Sequence, residues 1–232
     1  MEKQKYAAIV LAAGSGKRMN SKVHKQYLII QDRPVLYYSL KAFEDSAVDE
    51  IVLVVGKGEE EFCRKEIVDK YGISKVKAIV EGGKERYHSV FEGLKQTSDA
   101  DYVLIHDGAR PFVNQDIIRR CMQEVQKYQA CVVGMPVKDT IKIADEEGYA
   151  KQTPDRKNVW MIQTPQTFSY ALIYEAYEEM LKTEDTAITD DAMVLERIKG
   201  KKSKLIEGIY RNIKITTPED LLIANVYLQH PE

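Results

Sequence analysis

Tyr6-Ala7-Ala8-Ile9-Val10-Leu11-Ala12-Ala13-Gly14-Ser15-Gly16-Lys17-Arg18-Met19 sets an unbroken apolar run against a turn of small residues. A run without polar alternation reads as a strand buried on both faces, and the glycines end it. The same unit recurs along the chain. Glu50–Val55 is a second strand closed by Gly56, Val76–Val80 a third ending at Gly82-Gly83, Tyr102–Ile105 a fourth and Ala130–Met135 a fifth. Helical spacing fills the intervals. Pro34 opens a helix with Leu36, Leu40 and Phe43 on one face, and a charged helix turns Cys63 and Ile67 inward and stops at Gly72. Tyr87, Val90, Phe91 and Leu94 form a third stripe, and Asn114 caps a helix bearing Ile117, Ile118, Cys121 and Val125. Arg211–Thr216 reads as a further strand, followed by a helix start at Thr217-Pro218-Glu219-Asp220. Repeated strand–helix–strand units predict an α/β fold with a Rossmann-like, doubly wound, mostly parallel sheet. Ligands of such sheets bind outside the carboxyl ends of the strands.

One stretch departs from this rhythm. From Pro136 to about Pro165 no helical stripe occurs, and Gly148 lies in the middle. It reads as a hairpin arm over about residues 137–160 on an otherwise single domain of 232 residues.

A net charge of −2, with 44% hydrophobic and 30% charged residues, gives no general attraction to nucleic acid or to an anionic membrane. No apolar run approaches the roughly 20 residues that span a bilayer. Met1–Lys5 shows no signal-peptide pattern, and Cys63, Cys121 and Cys131 are scattered without a CxxC pair. These features predict a cytoplasmic protein with reduced core thiols. His24, His88, His106 and His230 have no metal-ligand spacing and read as structural or solvated.

Candidate chemistry gathers at the strand ends. The Ala12–Met19 loop lets backbone N–H groups face a phosphate chain, with Arg18 and Lys25 adding positive charge. It lacks the third glycine of the dinucleotide fingerprint and the Gly-Lys-Ser/Thr ending of a Walker A loop. Gly82-Gly83 permits close backbone approach, with Ser89 a turn further on. Asp107 follows the fourth strand, where a metal-binding carboxylate is useful, and Arg110 beside it suits phosphate or carboxylate oxygens. Thr140, Arg156 and Thr164 place polar groups on the unusual excursion. Thr189-Asp190-Asp191 suits a helix cap, and Lys214, flanked by apolar residues, either enters a cleft or snorkels from an edge.

The ordered set resembles the 2-C-methyl-D-erythritol 4-phosphate cytidylyltransferase family over essentially the whole chain. It comprises Leu11–Met19 with Lys25-Gln26-Tyr27-Leu28, Gly82-Gly83 to Ser89, His106–Phe112, Lys138-Asp139-Thr140, Thr153–Arg156, Gln163–Gln166, Thr189–Asp191 and Asn212–Asp220. The family loop usually has proline just before the lysine, and His24 stands there instead. The resemblance implies a sheet of nucleotidyltransferase type with an extended β-arm, CTP as co-substrate, Mg²⁺ or another divalent cation, and a homodimer formed through the arm. Ala12, Ala13, Gly14 and Gly16 would approach CTP, with Arg18 and Lys25 on its phosphates. Gly82, Gly83 and Ser89 would meet cytosine and ribose, and Asp107 would organise the metal and ribose. Arg110, Thr164, Thr189 and Lys214 would complete the acceptor site, with Thr140 and Arg156 reaching it from a partner's arm. Two other expectations stand beside this one: a ribitol-5-phosphate cytidylyltransferase sharing the CTP half, and a non-catalytic nucleotide-binding module on the same fold. A nicotinamide-dependent oxidoreductase is weakened by the missing third glycine.

Overall fold

The computed structural model describes residues 3–14, 24–183 and 187–230. In chain order, β1 (Tyr6–Ala12) is followed by a 3₁₀ turn at Lys25–Tyr27 and a small hairpin of β2 (Ile29–Ile30) and β3 (Arg33–Pro34). Then come α1 (Val35–Glu44), β4 (Glu50–Val55), α2 (Glu60–Cys63), β5 (Val76–Glu81), α3 (Arg86–Lys95) and β6 (Tyr102–Asp107). α4 (Gln115–Tyr128), β7 (Ala130–Pro136) and a second hairpin, β8 (Ile143–Ala144) with β9 (Ala150–Gln152), precede β10 (Trp160–Ser169). α5 (Tyr170–Met180), α6 (Asp191–Lys199), β11 (Lys204–Glu207) and α7 (Pro218–Gln229) complete the order.

The central sheet has the order β11-β7-β10-β6-β1-β4-β5. Every pairing is parallel except those of β10, which runs antiparallel to β6 and β7. The fold is therefore the doubly wound, mostly parallel α/β sheet that the strand–helix alternation predicts. Both sheet faces are dry, which is why the strands carry uninterrupted apolar runs. Tyr6, Ala8, Val10 and Ala12 join one core with α1 and α4, while Ala7 and Ile9 join the other with α3, α5 and α6. Cys63, Cys121 and Cys131 are free and buried. Asn114 caps α4 by accepting from the Ile117 N–H at 2.9 Å, and Gly72 ends the second helical segment with φ +64°.

Chain direction reverses beside β1. From β1 the chain winds outward to β4 and β5, then returns to β6 on the other flank. That switch point leaves a crevice at the carboxyl ends of β1 and β6.

Two sequence expectations change. Arg211–Thr216 is not a strand: Asn212 is turned fully inward, donating to Thr164 O at 2.9 Å and Gln163 Oε1 at 3.2 Å. The segment instead crosses the strand ends, held by Ile215 N–H to Ala109 O at 2.8 Å. The sheet edge is taken by β11. The excursion also ends earlier than Pro165, because residues 160–165 already belong to β10. Gln163, Thr164, Gln166 and Thr167 are buried yet polar, which hides the strand from apolar pattern, and Pro165 falls where the pairing with β7 shifts register. The β8–β9 hairpin projects from the sheet with both strands exposed, turning at Gly148 with φ +90°.

Candidate active site

A cavity of about 330 Å³ opens at the switch point. The end of β1 supplies Leu11, Ala12, Ala13 and Gly14, and the turn before α3 supplies Gly83, Lys84, Glu85 and Arg86. Lys25, Asp107 and Lys214, distant from one another in sequence, line the same cavity, as does Ser89. Gly82 packs behind it, where a Cβ would sit 2.6 Å from both Ala13 Cβ and Ser89 Oγ. A side chain there would force β1 and α3 apart. Arg18 and Gly16 lie outside the described residues.

A second cavity of about 300 Å³ adjoins the first and shares Arg86, Asp107 and Lys214 with it. Arg110, Ile162, Gln163, Thr164, Gln166, Thr189 and Asp190 complete its lining. Thr140 and Arg156, on the exposed arm, line neither cavity, and Arg156 Nη1 donates to Lys138 O at 3.3 Å.

Asp107 is the electrostatic centre. Lys214 Nζ stands 2.9 Å from Oδ2, Arg86 Nε 3.5 Å from Oδ1 and Arg110 Nε 3.6 Å from Oδ2. Burial pushes the carboxyl up, but the charges of Lys214, Arg86 and Arg110 outweigh it and hold Asp107 well below the usual carboxylate range. The wall between the cavities thus carries three cationic groups against Asp107, with Asp191 buried behind Arg86. Arg110 also donates to Asn212 O at 2.8 Å, yet its buried Nε has no hydrogen-bond acceptor. An acceptor oxygen entering the second cavity would satisfy it.

Residues beneath this wall fix it; of these the sequence assigned a role only to Asp190-Asp191, as part of a helix cap. Arg86 clamps Asp191 with two bonds of 2.8 Å, and Tyr177 donates to the same carboxylate at 2.6 Å. Asp191 is fully buried in the first turn of α6, which Asp190 caps by accepting from Met193 N–H at 2.9 Å. Gln166 donates to Asp190 at 3.0 Å and accepts from Ala192 N–H at 2.9 Å. The available signal was chemical: Arg86 stands among basic residues after Gly82-Gly83, and Asp191 opens an apolar helix.

His106 belongs to the same scaffold. Asp107 N–H donates to Thr164 Oγ1 at 3.1 Å, Thr164 Oγ1 lies 3.0 Å from His106 Nδ1, and His106 Nε2 lies 3.2 Å from Arg110 O. Of the two neutral tautomers only one satisfies this chain: the Thr164 hydroxyl donates to Nδ1, and Nε2–H donates to the carbonyl. Burial pushes the imidazole down to about 4. The unfolded chain takes up its histidine proton near 6.5, so stability falls as pH drops from about 6.5 toward about 4, at about 1.4 kcal/mol per unit. Between pH 7 and pH 5, urea denaturation is expected to show the native protein losing about 2 kcal/mol more than a His106→Asn variant. Equal losses would contradict a neutral buried ring.

Mg²⁺ on nucleotides commonly takes only one or two protein carboxylates, the rest of its ligands coming from phosphates and water, and Asp107, already engaged by Lys214, Arg86 and Arg110, is the carboxylate that borders both cavities. Among the described residues no group of three or more His, Cys, Asp or Glu forms a self-contained metal cage.

Comparison with known proteins places this geometry. The family model "IspD: 2-C-methyl-D-erythritol 4-phosphate cytidylyltransferase" matches residues 6–230. The chain belongs to the 2-C-methyl-D-erythritol 4-phosphate cytidylyltransferase family. A cytidylyltransferase of that name from Lachnospira eligens is 54% identical over 224 residues, covering 96% of this chain and 98% of the relative. One from Lachnoclostridium phytofermentans is 50% identical over 226 residues, covering 97% of each. The crystal structure of a 4-diphosphocytidyl-2C-methyl-D-erythritol synthase from Anaerococcus prevotii superposes with a TM-score of 0.86 at 38% identity, covering 98% of this chain and 97% of that one.

Proposed function

We propose that this protein transfers a cytidylyl group from CTP to 2-C-methyl-D-erythritol 4-phosphate, giving 4-diphosphocytidyl-2-C-methyl-D-erythritol and pyrophosphate. The observation that carries the reading is the pair of adjoining cavities whose common wall is Arg86, Asp107 and Lys214. Two anionic substrates can meet across such a wall. Family membership names the substrates.

The acceptor's phosphate oxygen bonds to the α-phosphorus of CTP, and the bond to the β-phosphate bridge oxygen breaks, releasing pyrophosphate. The nucleophile is already anionic, so no strong general base is required. The difficulty is electrostatic: two polyanions must approach, and charge builds on the α-phosphoryl oxygens. Backbone amides along Ala13 and Gly14 receive the phosphate chain, with Lys25 and Lys214 in the same cavity. Gly83 and Ser89 border the nucleoside end. Arg110, Thr164 and Thr189 face the acceptor. A divalent cation at Asp107 would supply further neutralisation of the phosphates.

Thr140 and Arg156 serve the acceptor site of a second copy in this reading, with the β8–β9 arm forming a homodimer. Their exposure away from both cavities supports that role, as do Ile143 and Tyr149, large side chains exposed on the hairpin, Tyr149 at 70%. Among the described residues no helix is long and apolar enough to cross a membrane.

Incubation with CTP and Mg²⁺, with either 2-C-methyl-D-erythritol 4-phosphate or ribitol 5-phosphate, is the test. Pyrophosphate release with the first acceptor and at most a few per cent of that rate with the second is expected. Preference for ribitol 5-phosphate, or CTP binding without pyrophosphate release, would overturn the assignment.

A further inference from the structure

Outside the groups that line the two cavities, one carboxylate touches both ends of the turn that carries Lys25. Glu59 lies between β4 and α2. Its Oε1 stands 2.7 Å from His24 Nδ1, and its Oε2 accepts from the Tyr27 hydroxyl at 2.7 Å and from Gly56 N–H at 3.0 Å. A Cβ on Gly56 would fall 2.6 Å from Oε2, so the carboxylate occupies space that only a glycine leaves. The Tyr27 hydroxyl also meets Cys63 Sγ at 3.1 Å. Between the two contacted residues, Gln26 is buried and donates to Ala12 O at the end of β1, and Tyr27 N–H closes the turn on His24 O at 2.9 Å. Lys25 and Gln26 of this turn both line the nucleotide cavity, and Lys25 is the cation of the two.

We propose that Glu59 is a positioning residue for Lys25. By holding His24 and Tyr27, its carboxylate fixes the direction in which the intervening lysine enters the cavity. The inference rests on Lys25 meeting nucleotide phosphates, as proposed above. The Tyr27 contact carries more weight than a surface ion pair because Glu59 is largely shielded from water and the Tyr27 hydroxyl donates a charge-assisted hydrogen bond to its carboxylate. A catalytic cation displaced by about 1 Å forfeits up to about 10²-fold in rate, so loss of the bracket is felt at the chemistry.

The backbone at His24 has φ −61°, inside the range that proline enforces. Proline at position 24 therefore holds this backbone without help from a side-chain contact, which supplies a rescue arm for the test. Glu59→Ala is expected to lower kcat/KM for CTP by about 10-fold and to weaken CTP binding, read by calorimetry, by a similar factor, with KM for the acceptor unchanged. Glu59→Gln keeps oxygen acceptors for Tyr27 and Gly56 and is expected to fall between. Adding His24→Pro to Glu59→Ala is expected to recover at least roughly half of the loss on a logarithmic scale. Native-like CTP affinity and kcat/KM in Glu59→Ala would overturn the proposal. So would a loss shared equally by the acceptor KM, tracking Tm and untouched by His24→Pro, because that is the signature of a purely structural role. Should the native protein release no pyrophosphate, the transfer reading fails alone: the calorimetric comparison of native protein and Glu59→Ala still decides whether Glu59 serves CTP binding.

Discussion

Lys25→Ala is expected to lower kcat for pyrophosphate release by about 10²- to 10³-fold. The magnitude follows from the setting. Lys25 lines a cavity of about 330 Å³ that includes the end of β1, Asp107 and Lys214. Its turn is tied to β1 through Gln26 and closed by backbone bonds, so the ammonium does not have to find its position at the moment of reaction. A preorganised charge acting on phosphoryl oxygens is worth about 3–4 kcal/mol of barrier in a water-poor site. Lys25→Arg separates charge from shape: the charge is kept on a longer planar head, and activity between native and alanine is expected. Steady-state kinetics with both substrates saturating, alongside Tm, checks the assignment. Turnover of the alanine variant within a few fold of native would remove Lys25 from the reaction.

Asp191→Asn is expected to cost about 3 kcal/mol of stability, toward the lower end of what breaking a buried ion pair costs, because solvent still reaches 28% of the Arg86 side chain. For a chain of this length that is a fall in Tm of roughly 6–12 °C. The loss arises on the arginine side. Arg86 gives both terminal nitrogens to Asp191, and its remaining carboxylate neighbour, Asp107, stands at 3.5 Å. Freed from Asp191, the guanidinium swings toward Asp107 and competes with Lys214 there. Activity is therefore expected to fall by about 10-fold or more even below the lowered Tm. Arg86→Lys keeps the charge but not the two-pronged bond and is expected to lose nearly as much stability. A Tm within about 2 °C of native for Asp191→Asn would show that the pair contributes little.

The legible parts of the fold were those where burial and hydrophobicity coincide. β1, β4 and β6 are apolar on both faces because both faces are covered, and α4 carries its buried stripe at helical spacing. β10 escaped because burial there is satisfied by hydrogen bonds: Gln163, Gln166 and Thr164 are interior residues whose polarity serves the site. Arg211–Thr216 misled for the opposite reason. Apolar Ile213 and Ile215 alternate with polar neighbours in the sequence, but the inward positions are Asn212 and Ile215, three apart, and the backbone docks across strand ends instead of pairing along one. Among site residues, Lys214 stood out as a cation within an apolar run. Arg86 and Asp191 did not, since their bond spans 105 positions and nothing local in either segment announces the other.

One consequence lies in the wall common to both cavities. Lys214 and Arg86 each border two compartments while leaning on a single aspartate. A triphosphate arriving on one side competes with Asp107 for those cations, and so changes the field that the neighbouring compartment offers its own guest. Thermodynamic linkage makes any such effect mutual: whatever factor the first occupant imposes on the affinity of the second, the second returns. Coupling between the two compartments would therefore run through one shared partition, without a hinge or a distant effector.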